Sequence, residues 1–417
     1  MDAGFLNKYF SAVAAKHLSA VEADSEVSDQ HEYNGVSLLK KMFGTDTPKK
    51  IIPTAFLYLS DDDDAIEAEG SLTWYDARYH NPNRTEWRLY YPTNDVTSRA
   101  EKGDTLFICL RRDNTVLDIV TKRESIIENQ LFWLFNIRPD ENSNSFVANT
   151  DLTNPPSAKV DFAARMILQK IGVEIPQTEE DFTGLLIDRF GYSFPTTKEF
   201  SEFSRSTISG ADPVGDPDGT LVLWYDREET LFMNMEKIII QERLRKGFTD
   251  GENVDVDGFI AFSLSVNNRR KSRAGLSFEN NLEAIFRANN IRYSHTPVTE
   301  NRSKPDFIFP SIEMYRDESY PAEKLTMLGA KTTAKDRWRQ VLEEADRIEK
   351  KHLITLEAAI SEYQTDEMIS RNLQLVVPQS IQSTFTVKQQ SWLFSVRDFL
   401  HLVEDRQNFY GSVTFSV

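Results

Sequence analysis

The sequence predicts a multidomain protein, with an all-β amino-terminal domain followed by an α/β carboxy-terminal domain. Three observations carry this. The chain has 417 residues, well beyond the ~250 at which a single hydrophobic core stops growing. From about residue 35 to residue 136 it is a series of short β-rich runs between polar turns, the pattern of a small sandwich or barrel. From about residue 230 onward, strand and helix candidates interleave, which implies an α/β core.

Taken in order, the opening MDAGFLNKYFSAVAAKHL reads as an amphipathic helix, because Lys8, Lys16 and His17 interrupt any apolar core of secretory length. The strand candidates of the first domain are 51–60, 70–80, 86–92, 104–112 and 115–122. Two acidic stretches, Glu22 to Glu32 and Asp61 to Asp64, read as solvated loops. Asn154-Pro155-Pro156 and Ile175-Pro176 mark a connector with one short helix at 160–171. The expected division is therefore a first domain at 1–155, a linker at 156–185 and a second domain at 186–417. Within the latter, 209–219 has the Gly/Pro/Asp chemistry of a surface loop. Helix candidates follow at 230–248, 277–290, 335–350 and 391–406, and strand candidates at 259–268, 305–310, 324–333 and 373–378.

Composition narrows the class. A hydrophobic fraction of 40% with 27% charged residues is that of a soluble globular protein rather than a disordered one. No run approaches the ~18 apolar residues of a membrane span, so a cytoplasmic protein without a membrane partner is expected. Cys109 is the sole cysteine and the six histidines are scattered, so neither an intrachain disulfide nor a cysteine or histidine-rich metal site is expected. The net charge of −17 argues against a polyanion partner only in sum. Exposed charges are screened beyond ~8 Å, and a local basic surface can hold nucleic acid on an acidic protein.

The informative constellation is Pro305-Asp306, then Lys331, then Glu344. Asp306 opens a strand, Lys331 lies near the end of the next, and Glu344 is expected on the following helix. Carboxylates and a lysine converging in this way suit phosphodiester hydrolysis with Mg²⁺, a hard cation held by one or two carboxylates plus water and phosphate. The text around them runs Asn267-Asn268-Arg269-Arg270-Lys271-Ser272-Arg273-Ala274-Gly275, Glu279, Lys304-Pro305-Asp306, and Lys331-Thr332-Thr333-Ala334-Lys335-Asp336-Arg337-Trp338-Arg339-Gln340. It resembles the EcoRII-type (type IIE) restriction endonucleases, strongly over about 194–346 and more weakly over about 19–112.

The resemblance implies a carboxy-terminal restriction-endonuclease-like PD-(D/E)XK domain and an amino-terminal B3-like DNA-binding pseudobarrel acting as an effector module. It also implies Mg²⁺-dependent cleavage of double-stranded DNA at a short CC-W-GG-like site by a restriction-modification system. The implied active site is Glu279, Asp306, Tyr315, Lys331, Lys335 and Glu344, with Asp306, Glu344 and Glu279 around the metal. For Tyr315 and Lys335 a core hydroxyl and a phosphate contact stand as alternatives. The acid usual two residues before the lysine is absent, that position being Gly329, and Glu344 is read as its replacement.

For recognition, Asp336 and Arg337 suit a C·G pair, with Arg bidentate to guanine and Asp accepting from cytosine. Arg269, Arg270, Lys271 and Arg273 suit phosphate and groove contacts. Trp224 and Tyr225 fall near the position that stacks on an extruded base, with core packing as the alternative. In the first domain, Arg78, Arg84, Glu86, Trp87 and Arg88 resemble a recognition arm. The other arm is replaced by the acidic 22–35, which retains His31, and its acidity would favour contact with a basic nuclease face and autoinhibition. A two-fold symmetric site favours a homodimer, and a restriction role implies a cognate methyltransferase. Two other readings stand beside this one: a non-catalytic sequence-specific DNA-binding protein, and a nuclease directed at modified DNA.

Overall fold

The computed structural model describes residues 9–23, 31–34, 37–61, 65–81, 83–137, 145–149, 167, 182–250, 253–334 and 337–408, with Asp250, Asn253, Lys271 and Arg337 described by backbone alone. Two compact units emerge: Met1–Val173 with Ala358–Gln364, and Glu174–Glu357 with Thr365–Val417. The expected linker helix at 160–171 lies outside the described residues except for Ile167. Among the described residues no helix is long and apolar enough to cross a membrane.

The first unit is built on one eight-stranded sheet. Its strands are β1 (Phe10–His17), β2 (Glu32–Tyr33), β3 (Lys49–Leu59), β4 (Ile66–Asp76), β5 (Trp87–Tyr90), β6 (Thr105–Arg111), β7 (Val116–Thr121) and β8 (Val147–Asn149). The order is β2-β5-β4-β3-β7-β6-β1-β8, antiparallel except for the parallel β3–β7 pair. Trp74, Trp87, Phe56, Leu72, Leu89 and Ile108 are among the side chains of its core.

The amphipathic helix expected at the amino terminus is instead β1, which lies between β6 and β8. An interior strand reads as a near-continuous apolar run, and over so few residues periodicity cannot tell it from a buried helix. Lys16, which suggested a polar face, is fully buried. Its ammonium donates to Glu22 at 2.6 Å and to the Asn34 carbonyl at 3.1 Å, and burial lowers its pKa against the opposing pull of Glu22.

The acidic stretches also depart from expectation. Glu22 is that buried partner, also bonded to Ser19 and Asn34. Asp61 accepts from the backbone N–H groups of Ile126 and Ile127, at 2.7 and 3.2 Å, so it serves the start of the Ile126–Phe135 helix. Residues 24–30 and 62–64 lie outside the described residues.

The second unit carries a five-stranded mixed sheet of β11 (Ser294–His295), β12 (Phe307–Phe309), β13 (Thr326–Lys331), β14 (Lys351–Thr355) and β15 (Leu373–Val376), in that order. β9 (Thr249–Asp250) and β10 (Asn253–Val254) form a small hairpin apart from it. The β11–β12 and β12–β13 pairs are antiparallel, and β13, β14 and β15 are parallel. Helices include Thr183–Phe190, Thr197–Ser206, Pro217–Lys246, Val256–Ala288 and Val396–Asn408.

Residues 259–268, expected as a strand, lie inside the Val256–Ala288 helix. The alternation of Phe262, Leu264 and Val266 was too short to fix the period. The helix expected over 335–350 is shorter, Arg337–Leu342, and the chain reverses beyond it through Ala345 at φ 53°.

Candidate active site

The sheet register brings Asp306 and Lys331 together. Phe307 pairs with Leu328 across antiparallel strands, so Asp306, one residue before β12, faces the end of β13. Its Oδ2 accepts from the Ala330 backbone N–H at 2.6 Å and from the Lys331 ammonium at 2.7 Å. Both side chains remain partly open, at 12% and 21% exposure.

Gly329 explains the missing acid. Side chains at 329 and 331 point to the same face of β13. A Cβ at 329 would lie 2.7 Å from Cγ2 of Val341, on the Arg337–Leu342 helix. That closeness leaves no room for a carboxylate, and a second acid must come from elsewhere.

Glu344 lies in the turn after that helix, not on the helix itself as the sequence suggested. Burial, and then the neighbouring Asp306, push its carboxyl up to about 7, while Lys331 and Lys351 pull the other way. Its Oε2 is buried and meets no hydrogen-bond partner among the described residues. A buried carboxylate oxygen without a donor, electrostatically coupled to a second carboxylate, is a hard-oxygen donor set suited to a divalent cation.

Glu279 does not join them as expected. Among the described residues no three His, Cys, Asp or Glu gather so as to hold a metal ion, so the trio Asp306, Glu344 and Glu279 is not assembled. Glu279 Oε2 lies 2.7 Å from His295 Nε2. Tyr315 is 2% exposed, donates its hydroxyl to Glu300 at 2.6 Å and accepts from the Arg347 backbone N–H; burial and Glu300 raise its pKa. That is the core-hydroxyl alternative. Lys335 and Asp336 lie outside the described residues, as does the side chain of Arg337.

The basic segment of the Val256–Ala288 helix is partly neutralised by the Pro217–Lys246 helix. Arg270 Nε lies 2.9 and 2.8 Å from the two Glu236 oxygens. Arg273 pairs with Glu229 with its guanidinium 4.0 Å from the Phe232 ring. At 6% exposure, Arg273 is an interior group here rather than the surface DNA contact expected. Arg269 is exposed and lies over Phe194. Glu229 and Glu236 are two helical turns apart and Arg270 and Arg273 about one. Nothing in either segment alone shows that they meet.

Trp224 and Tyr225 are 8% and 4% exposed. Tyr225 meets Phe278 edge-on at 6.1 Å and Arg205 lies 5.7 Å from the Trp224 ring, so both rings pack inside and neither offers a face for stacking in this conformation. Trp87 is likewise interior, 8% exposed and stacked on Trp74 at 5.0 Å, which corrects its expected place among the residues of a recognition arm.

Around Trp87 the polar arm is assembled. Glu86 takes Arg78 at 2.5 Å and Arg88 at 2.7 Å, and their hydrogen bonds, Arg88 first, hold its carboxyl down to about 2. Arg88 also reaches Glu32 at 2.9 Å. Arg84 is 3.9 Å from Glu86 and largely exposed. His31 sits edge-on to Tyr91 at 5.5 Å.

His295 is the residue near this centre that sequence reasoning passed over. A signal existed in Glu279 and Glu283, one turn apart on a helix. Such a pair repels unless a cation lies near.

A family model described as EcoRII C terminal matches residues 232–400. The type II restriction enzyme EcoRII of Escherichia coli is 30% identical over 405 residues, covering 93% of each chain. The type II restriction enzyme SsoII of Shigella sonnei is 24% identical over 164 residues, 37% of this chain and 52% of that one. Among solved structures, metal-depleted Ecl18kI in complex with uncleaved DNA matches with a TM-score of 0.44 and 18% identity, covering 57% of this chain and 88% of that one. The PspGI–substrate DNA complex matches with a TM-score of 0.42 and 16% identity, covering 52% and 94%. The identity and coverage shared with the Escherichia coli enzyme place this chain in the EcoRII family of type II restriction endonucleases, which are site-specific deoxyribonucleases.

Proposed function

We propose that this endonuclease cuts double-stranded DNA at a short CC-W-GG-like site by Mg²⁺-dependent phosphodiester hydrolysis, with Asp306, Lys331 and Glu344 as its centre. The observation that carries the reading is the buried, donorless Oε2 of Glu344 coupled to an Asp306 already bonded to Lys331. Asp306 and Glu344 would hold the metal, which when bound supplies Lewis-acid polarisation of the phosphate and lowers the pKa of water.

The chain's own groups do the rest. Lys331, fixed by Asp306, orients water and steadies the negative charge that develops on the phosphorane oxygens. Asp306 is kept in place by the Ala330 N–H. Asp336, Arg337, Arg269 and Arg270 would read and hold the duplex. The nuclease domain is assigned to 186–417 and a B3-like effector or autoinhibitory DNA-binding domain to 1–155, where Arg84, Glu86 and Arg88 would meet DNA. A cytoplasmic homodimer with a cognate methyltransferase completes the proposal.

Short duplexes test the site. A CC-W-GG duplex is cut with Mg²⁺ and not with EDTA, and exchange of the outer C·G pair abolishes cutting; equal cutting of both duplexes would overturn the site assignment.

The same assay over pH tests the metal donors. Glu344 must ionise to bind a cation, and its carboxyl lies near 7. The Mg²⁺ concentration for half-maximal rate should therefore fall about tenfold per pH unit below ~7 and level off above it. The sign for stability runs the other way. A raised carboxyl favours the metal-free fold fully below ~4.5, and that contribution is lost as pH rises through about 7.

A further inference from the structure

His295 joins the helix of Glu279 to the strand that opens on Asp306. It lies on β11 and pairs in register with Phe307, the residue after Asp306. Its ring stacks on the Phe307 ring at 5.0 Å with 18° between the planes. Next to it, the Thr296 N–H donates to the Asp306 carbonyl at 2.8 Å. Nε2 meets Glu279 Oε2 at 2.7 Å, and Nδ1 stands 3.6 Å from Glu283 Oε1. Glu283 also has Arg287 at 2.8 Å. The imidazole thus bridges two successive turns of the Val256–Ala288 helix, the helix that carries Arg269 and Arg270 two to three turns earlier.

We propose that His295 is a positioning residue for DNA cleavage: it fixes Glu279, and with it the helix bearing the DNA-contacting arginines, against the strand of Asp306. The proposal rests on the reading of Asp306, Lys331 and Glu344 as the hydrolytic centre. A glutamate on a helix has several rotamers open to it. The stacked imidazole, held by Phe307 on one side and by the backbone pairing of β11 on the other, selects one. Docking of the arginines on phosphate is then transmitted to the catalytic strand through a short, rigid contact. Displacement of a catalytic group by ~1 Å can cost about 10²-fold in rate.

The test measures single-turnover cleavage of supercoiled unmethylated plasmid with Mg²⁺, and duplex affinity with Ca²⁺ in its place, for wild type, His295→Ala, His295→Gln and Glu279→Ala. His295→Ala should cut about 10–100-fold more slowly with affinity and thermal midpoint within twofold and a few degrees of wild type. His295→Gln, whose amide N–H can reach Glu279, should recover most of the rate. His295→Ala should add little to Glu279→Ala, since both remove one contact.

An unchanged rate for His295→Ala overturns the proposal. So does a rate loss matched by loss of affinity or folding, or one that adds in full to Glu279→Ala and is not restored by glutamine. A wild-type protein that fails to cut would overturn the hydrolytic reading itself and this role with it, which distinguishes the two failures.

Discussion

Lys331→Ala is expected to bind duplex DNA as the wild type does and to cut it about 10²–10³-fold more slowly. That range is what one preorganised group facing developing charge typically contributes. Lys331 is partly exposed and held by a 2.7 Å ion pair with Asp306. In the variant Asp306 keeps the Ala330 N–H, so the fold and the DNA-binding surface are left in place. Lys331→Arg is not a conservative control, because the planar guanidinium replaces a compact ammonium with a wider fork. Loss of binding in proportion to loss of cutting would mean that Lys331 serves affinity and not the chemical step. The two are separated by a binding isotherm in Ca²⁺ beside a single-turnover rate in Mg²⁺.

Gly329→Asp, which writes the usual acid back two residues before the lysine, is expected to destabilise the protein and not to restore a variant lacking Glu344. The new Cβ would meet Val341 Cγ2 at 2.7 Å and Cγ1 at 3.3 Å. Overpacking of this kind costs about 1–3 kcal/mol, and a carboxylate placed against Val341 adds its own desolvation. Gly329→Ala isolates the steric part, and Val341→Ala in the same background should return most of the lost stability in urea melts. Rescue of Glu344→Gln cleavage by Gly329→Asp would contradict the placement of the second acid.

The sequence made some of this legible and not the rest, for physical reasons. β3 to β7 were readable because their apolar residues recur between polar turns. The Asp306–Lys331 pair was readable because both flank short apolar runs that become neighbouring strands. β1 was misread because burial of Lys16 with Glu22 is a tertiary event with no local mark. Glu344 was expected on a helix that in fact stops at Leu342, and the left-handed Ala345 beyond it leaves no compositional trace. β14 was missed because it opens on Lys351, whose buried ammonium is satisfied by the Ala345 and Ile348 carbonyls at 2.8 and 2.7 Å. The pairing of Arg270 and Arg273 with Glu236 and Glu229 joins segments over 30 residues apart, and only the packing of two long helices reveals it.

The most direct test of the central claim is incubation of the purified protein with unmethylated plasmid DNA in Mg²⁺ or in EDTA, followed by sequencing of every end, with Lys331→Ala alongside. The account expects discrete fragments in Mg²⁺ alone, with ends that share one short sequence, and about 10²–10³-fold slower fragmentation with the variant. Intact DNA with the wild type in Mg²⁺, fragments that persist in EDTA, or Lys331→Ala cutting as fast as the wild type would contradict it.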